Sequence, residues 1–230
     1  MIIARRFRGP PDSGNGGYVC GAVGTLLPGP AEVTLRSPPP LDRELQLERT
    51  GEGAVLRDGE SVVAQAVPAT VDIEPPGAVS LEEAVKASRK YPWVQQHPFP
   101  SCFVCGPERR EADGLRIFPG PVEGRKVAAA PFLPDASLAG EDGKVRPEIL
   151  WAALDCPSWF GMYCFHEWQG MALLGRLAAR IDERPRAGER CVCVGWSRGS
   201  EGRKIHTGSA VYSGSGALLA LGKATWVALK

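Results

Sequence analysis

The chain has 230 residues, with 27 Lys and Arg against 26 Asp and Glu for a formal charge of +1, and it is 43% hydrophobic. So even a balance supplies no long-range field for a polyanion, and no run of Lys and Arg marks a nucleic-acid or membrane-surface footprint. The most apolar stretch, 149–165, is interrupted by Asp155, Pro157 and Ser158, short of the ~20 apolar residues of a membrane span. In chain order, Gly14-Asn15-Gly16-Gly17 opens a run of small and apolar residues, 18–27, that reads as a buried helix stopped by Pro28-Gly29-Pro30. Strand patterns follow at 32–36 and 44–48, and 54–57 turns through Asp58-Gly59 into 61–66, the signature of a hairpin.

A proline-rich joint comes next, with Pro68, Pro75, Pro76, Pro92, Pro98 and Pro100 around one short helix at 80–91. There Ser80 serves as N-cap and Glu83 completes a capping box. Beyond the joint two strands, 114–119 and 126–132, precede a long helix that starts at Pro147-Glu148, a proline at the first helical position and an acid at the positive end of the dipole. Four strands are expected after it, at 172–181, 190–196, 204–212 and 218–229. A helix followed by an antiparallel meander, twice over, is an α+β plan: a first half at 1–79, a linker at 80–95 and a second half at 96–230. The N-terminus, Met1 to Arg6, lacks the apolar run and cleavage site of a signal peptide, so a cytoplasmic protein is expected. Seven Cys without a secretory signal then indicate reduced thiols or metal ligands rather than a disulfide framework.

Asp155 is the most informative residue. Its neighbours three and four positions away are Trp151, Ala152, Ser158 and Trp159, so it cannot sit on a solvated stripe. A buried carboxylate is costly unless paired, hydrogen-bonded or protonated, and such positions are often functional. The structural alternative is a cap on a second helix with Pro157 as its first residue. Gly14-Asn15-Gly16-Gly17 is a second candidate, because glycines let a ligand approach backbone N–H groups at a helix start; a plain turn is the alternative. The third is His97-x4-Cys102-x2-Cys105-Gly106, a turn suited to tetrahedral zinc. The sequence shows no fourth ligand and no second Cys-x2-Cys, so neither metal nor cofactor is expected. Trp151, Trp159 and Phe160 supply either a bulky apolar lining or core.

Residues 97–230 resemble a hotdog-fold thioesterase of the PaaI-like acyl-CoA group. The resemblance lies in Cys102-Phe103-Val104-Cys105-Gly106-Pro107, in Gly114-Leu115-Arg116-Ile117, in the helix from Pro147 to Asp155 and in the closing strands. In that family a His-Gly-Gly opens the central helix and an acid follows six residues after the second glycine. Here Asp155 supplies the acid but Pro147-Glu148-Ile149 stands where the glycines belong; Asn15-Gly16-Gly17 supplies the glycines but Val23 stands where the acid belongs. The resemblance therefore implies a tandem double hotdog, an antiparallel sheet wrapped around two central helices, with one working site shared between the halves. It implies Asp155 as the catalytic base or nucleophile, N–H groups near Gly17 and Tyr18 as oxyanion donors, and Asn15, Gly16, Trp151 and Trp159 against a small-molecule acyl-CoA. Thioester hydrolysis is the implied activity, a non-catalytic acyl-binding protein and a hydratase being the alternatives on the same fold. Double hotdogs can further pair as homodimers.

Overall fold

The computed structural model describes residues 1–168 and 170–229. The first half contributes helix α1 (Gly16–Gly24) and strands β1 (Ala31–Leu35), β2 (Gln46–Thr50), β3 (Gly53–Asp58) and β4 (Ser61–Pro68). Helix α2 (Leu81–Ser88) follows in the joint, held by reciprocal bonds in which Glu83 N–H donates to Ser80 Oγ (3.2 Å) and Ser80 N–H donates to Glu83 Oε2 (2.9 Å). The second half adds β5 (Gly120–Pro121), β6 (Ala128–Phe132), helix α3 (Pro147–Tyr163), β7 (Ala172–Ile181), β8 (Cys191–Glu201), β9 (Lys204–Ser213) and β10 (Leu218–Ala228).

All ten strands form one sheet in the order β2-β3-β4-β1-β7-β10-β9-β8-β6-β5. Its seam is the antiparallel pair of β1 with β7, from Ala31 opposite Ala179 to Thr34 opposite Arg176. On either side of that seam the halves repeat one another: β1, β4, β3, β2 run outward one way and β7, β10, β9, β8 the other. Alternation along the strands sorts side chains between two faces. On β8, Cys191 and Cys193 join the core beneath the helices, whereas Val192, Val194 and Trp196 face the opposite cluster, which includes Ala84 and Ala87 of α2. Thus α1 and α3 share one face of the sheet and α2 covers part of the other.

The two central helices run antiparallel, since Gly17 of α1 lies against Asp155 and Gly21 against Glu148. Small residues set their separation: a Cβ on Gly17 would sit 2.5 Å from Asp155 Cβ, and one on Gly21 would sit 2.6 Å from Glu148 Cα. Helix α3 is continuous through Pro157, so Asp155 is not the cap of a second helix. The proline carbonyl is backed by β8 at Gly195, where a Cβ would meet it at 1.7 Å.

Residues 114–119 do not make the expected sheet strand. Leu115 N–H donates to Phe103 O (2.8 Å) and Ile117 N–H to Val104 O (2.9 Å), so the segment pairs with the cysteine loop instead, with Arg116 at a φ of 53°. The expected strand at 44–48 begins two residues later because Glu44 bridges Ile2. No helix among the described residues is long and apolar enough to cross a membrane.

Candidate active site

Asp155 sits in the third turn of α3, 3% exposed, facing the start of α1. Asn15 is the N-cap of α1, with its Oδ1 accepting from Tyr18 N–H at 2.9 Å. The opposite end of the same amide donates through Nδ2 to Asp155 Oδ2 at 2.8 Å, and Gly17 N–H donates to that oxygen at 2.9 Å. One carboxylate oxygen is thereby fixed by two donors from the other half of the chain. The second oxygen, Oδ1, is buried and has no partner. Burial is the largest influence on this carboxyl and pushes its pKa up to about 7; the bond from Gly17 opposes it, the Cys102 side chain adds to it, and the bond from Asn15 opposes it again.

Asp155 borders a cavity of about 430 Å³ between the start of α1, the first residues of β7 and the joint. That volume lies within the ordinary range for small-molecule sites. The walls are largely aromatic and aliphatic: Trp93, Phe99, Trp159, Phe160, Leu174 and Trp226 contribute. Edge contacts between Trp93 and Phe160 (4.8 Å between ring centroids) and a tilted contact between Trp159 and Trp226 (5.3 Å) hold these rings against one another. Two bordering residues carry a buried polar atom without a partner: an acceptor, Asp155 Oδ1, and a donor, Trp159 Nε1. Gly16, the first residue of α1, also borders the cavity, and its N–H has no acceptor among the described residues.

Of the residues singled out in the sequence, Asn15, Gly16, Trp159 and Asp155 come together around this cavity. Gly17, Tyr18 and Trp151 do not border it. The expected oxyanion donors are already engaged, Gly17 N–H by Asp155 Oδ2 and Tyr18 N–H by Asn15 Oδ1, which leaves Gly16 N–H as the open one. The Tyr18 ring stacks on Phe7 at 4.0 Å. Trp151 turns toward α1, where its ring covers Gly24; a Cβ there would lie 2.8 Å from Trp151 Cζ2. Trp93 and Phe99, placed by sequence in or beside a linker, were missed as wall residues. Their signal was two large aromatics in a proline-rich joint, an unusual composition for a solvated connection.

The cysteine turn lies on the same cavity, and α3 adds a third thiol, Cys156. Cys102 Sγ and Cys156 Sγ are 3.9 Å apart. Hydrogen bonds from Cys105 and Cys156 hold the Cys102 thiol well below its ordinary range, while burial first of all pushes Cys105 up and the bond with Cys102 pushes Cys156 up. Sequence spacing had offered only His97, Cys102 and Cys105 as clustered donors.

No protein-family model matches the sequence, and no curated protein matches it. Among solved structures, the chain is similar to a protein of Novosphingobium aromaticivorans that carries the name thioesterase, at 12% identity and a TM-score of 0.62, over 100% of this chain and 94% of that one. It is similar to the TesB protein of Mycobacterium avium subspecies paratuberculosis at 12% identity and a TM-score of 0.60, over 96% and 89%. A hot dog fold protein of unknown function from Alicyclobacillus acidocaldarius matches at 12% identity and 0.60, over 95% and 88%. The match to one thioesterase superfamily protein spans 61% of that protein's length at a TM-score of 0.48. At such identities the likeness is one of fold, and with a single sheet around two antiparallel helices the chain has the double hotdog fold.

Proposed function

We propose that the protein hydrolyses a thioester of an apolar acyl group, with acyl-CoA as the substrate class. The observation that carries this reading is the unpaired Asp155 Oδ1 at an apolar cavity that Gly16 also borders. A thioester carbonyl set between them would have its oxygen on Gly16 N–H, where the positive end of α1 favours developing negative charge. Asp155 Oδ1 takes a proton from water as the water oxygen adds to the carbonyl carbon. Collapse breaks the C–S bond, the thiolate leaves, and the proton returns from Asp155, giving a carboxylic acid and a free thiol. A thiolate is a good leaving group, so a carboxylate without a histidine partner is sufficient. The aromatic walls favour an aryl or alkyl acyl chain over a polar one.

The test is a panel of short, medium, long and aryl acyl-CoAs with free thiol followed spectroscopically. Release from at least one member, saturable and absent in Asp155→Asn, is expected. Tight binding of the panel without release would sink the hydrolytic reading and leave an acyl-binding protein. A single turnover in ¹⁸O-water separates the two chemical roles of the acid: label retained in Asp155 marks direct attack through an anhydride, and label in the product alone marks activated water.

A further inference from the structure

The sulfur atoms of Cys102, Cys105 and Cys156 all lie within 4.8 Å of one another, and each residue is buried. Four thiolate-type ligands around zinc at about 2.3 Å would place neighbouring sulfurs about 3.8 Å apart in a tetrahedron. The 3.9 Å between Cys102 and Cys156 matches that spacing. A tight turn brings Cys102 and Cys105 together. Gly106, whose N–H closes the turn on Cys102 O at 3.0 Å, allows that conformation, since a Cβ there would be 2.5 Å from Cys102 N and Pro100 O.

His97 defines the rest of the geometry. Its Nδ1 accepts from Phe99 N–H at 2.8 Å, so the proton of the neutral ring resides on Nε2, 3.3 Å from Cys105 Sγ. His97 therefore donates to a sulfur and has no lone pair aimed at the centre of the trio. Adjacent buried thiolates would repel one another and unpaired buried charge is costly, so three sulfurs this close can all ionise only with a soft cation between them.

We propose that Cys102, Cys105 and Cys156 bind one zinc ion, with His97 as an outer hydrogen-bond partner of Cys105 and the fourth position open to the cavity. Binding releases the thiol protons as three Zn–S bonds form, and it clamps the cysteine loop to α3 one residue beyond Asp155. The inference does not rest on the thioester reading, and its test reads no turnover.

Full-length protein purified under reducing conditions, without added metal or chelator, is expected to carry close to one zinc per chain by elemental analysis. Chelated protein titrated with Co(II) should develop sulfur-to-cobalt charge-transfer absorption and tetrahedral d–d bands that saturate at one equivalent and vanish on adding zinc. Cys105→Ser and Cys156→Ser should lose most of that absorption, Cys164→Ser should keep it, and His97→Ala should keep one equivalent at roughly 10–100-fold weaker affinity. Only trace metal together with a featureless cobalt titration of the wild-type chain would overturn the proposal, whether or not any variant folds. So would a wild-type cobalt spectrum in folded Cys156→Ser. Complete loss of binding in folded His97→Ala would overturn the three-thiolate set in favour of a four-ligand one.

Discussion

The starts of the two central helices occupy equivalent places on either side of the β1–β7 seam, and they have opposite chemistry. At the start of α1, Asn15 caps the helix, Gly16 leaves an N–H open, and Asp155 arrives from the opposite helix. At the start of α3, Pro147 has no N–H to offer, Arg146 makes no side-chain cap bond, and the residue standing in for the acid is the fully buried Val23. Trp151 fills the space beside it by lying over Gly24. Each half holds what the other lacks. The polar pair is concentrated in one place, and the equivalent place becomes core.

The largest expected effect separates these places directly. Asp155→Asn keeps the shape and the oxygen that accepts from Asn15 and Gly17 but removes the proposed base, so the proposed hydrolysis should fall ~10²–10⁴-fold with the far-ultraviolet spectrum unchanged. On the filled side, Trp151→Ala should cost about 3–5 kcal/mol in denaturant unfolding while turnover per folded molecule stays within a few-fold. A loss of turnover there as large as that of Asp155→Asn would mean the filled side also does chemistry. Asn15→Ala removes the cap of α1 and one donor to the carboxylate together, and it should lower stability by about 1 kcal/mol and the rate by roughly 10–100-fold. Val23→Ala should be the mildest in turnover, leaving kcat/KM at the wild-type value while costing about 2 kcal/mol of packing.

Much of this division was legible in the sequence because it breaks local rules. An acid in an apolar helix and an Asn-Gly-Gly before a run of small residues each conflict with their surroundings, and Asp155 and Asn15 stand together in the fold. Strand alternation carried β1, β3, β4 and β7 to β10 for the same reason, period 2 being a property of neighbouring residues. What stayed hidden depends on partners far along the chain. Nothing near Gly17 announces that its N–H is taken by the Asp155 side chain, 138 residues away. Nothing in the spacing of Cys102 and Cys105 announces Cys156, which only the packing of the cysteine loop on α3 brings within reach. Residues 114–119 alternate like a strand, yet they bond to residues 103 and 104, a competition that pattern alone cannot decide.

The bonds from Asn15 and Gly17 to Asp155 span 140 and 138 residues of sequence, among the longest-range contacts in the molecule. Contacts of such separation are closed late when a chain folds, because loop-closure entropy has to be overcome first. On that ground the carboxylate is expected to be set only after both halves have formed and docked along β1 and β7. Recovery of hydrolysis during refolding should then trail the return of helical and sheet signal, and a chain cut in the joint should regain turnover only as fast as its two pieces find each other in solution.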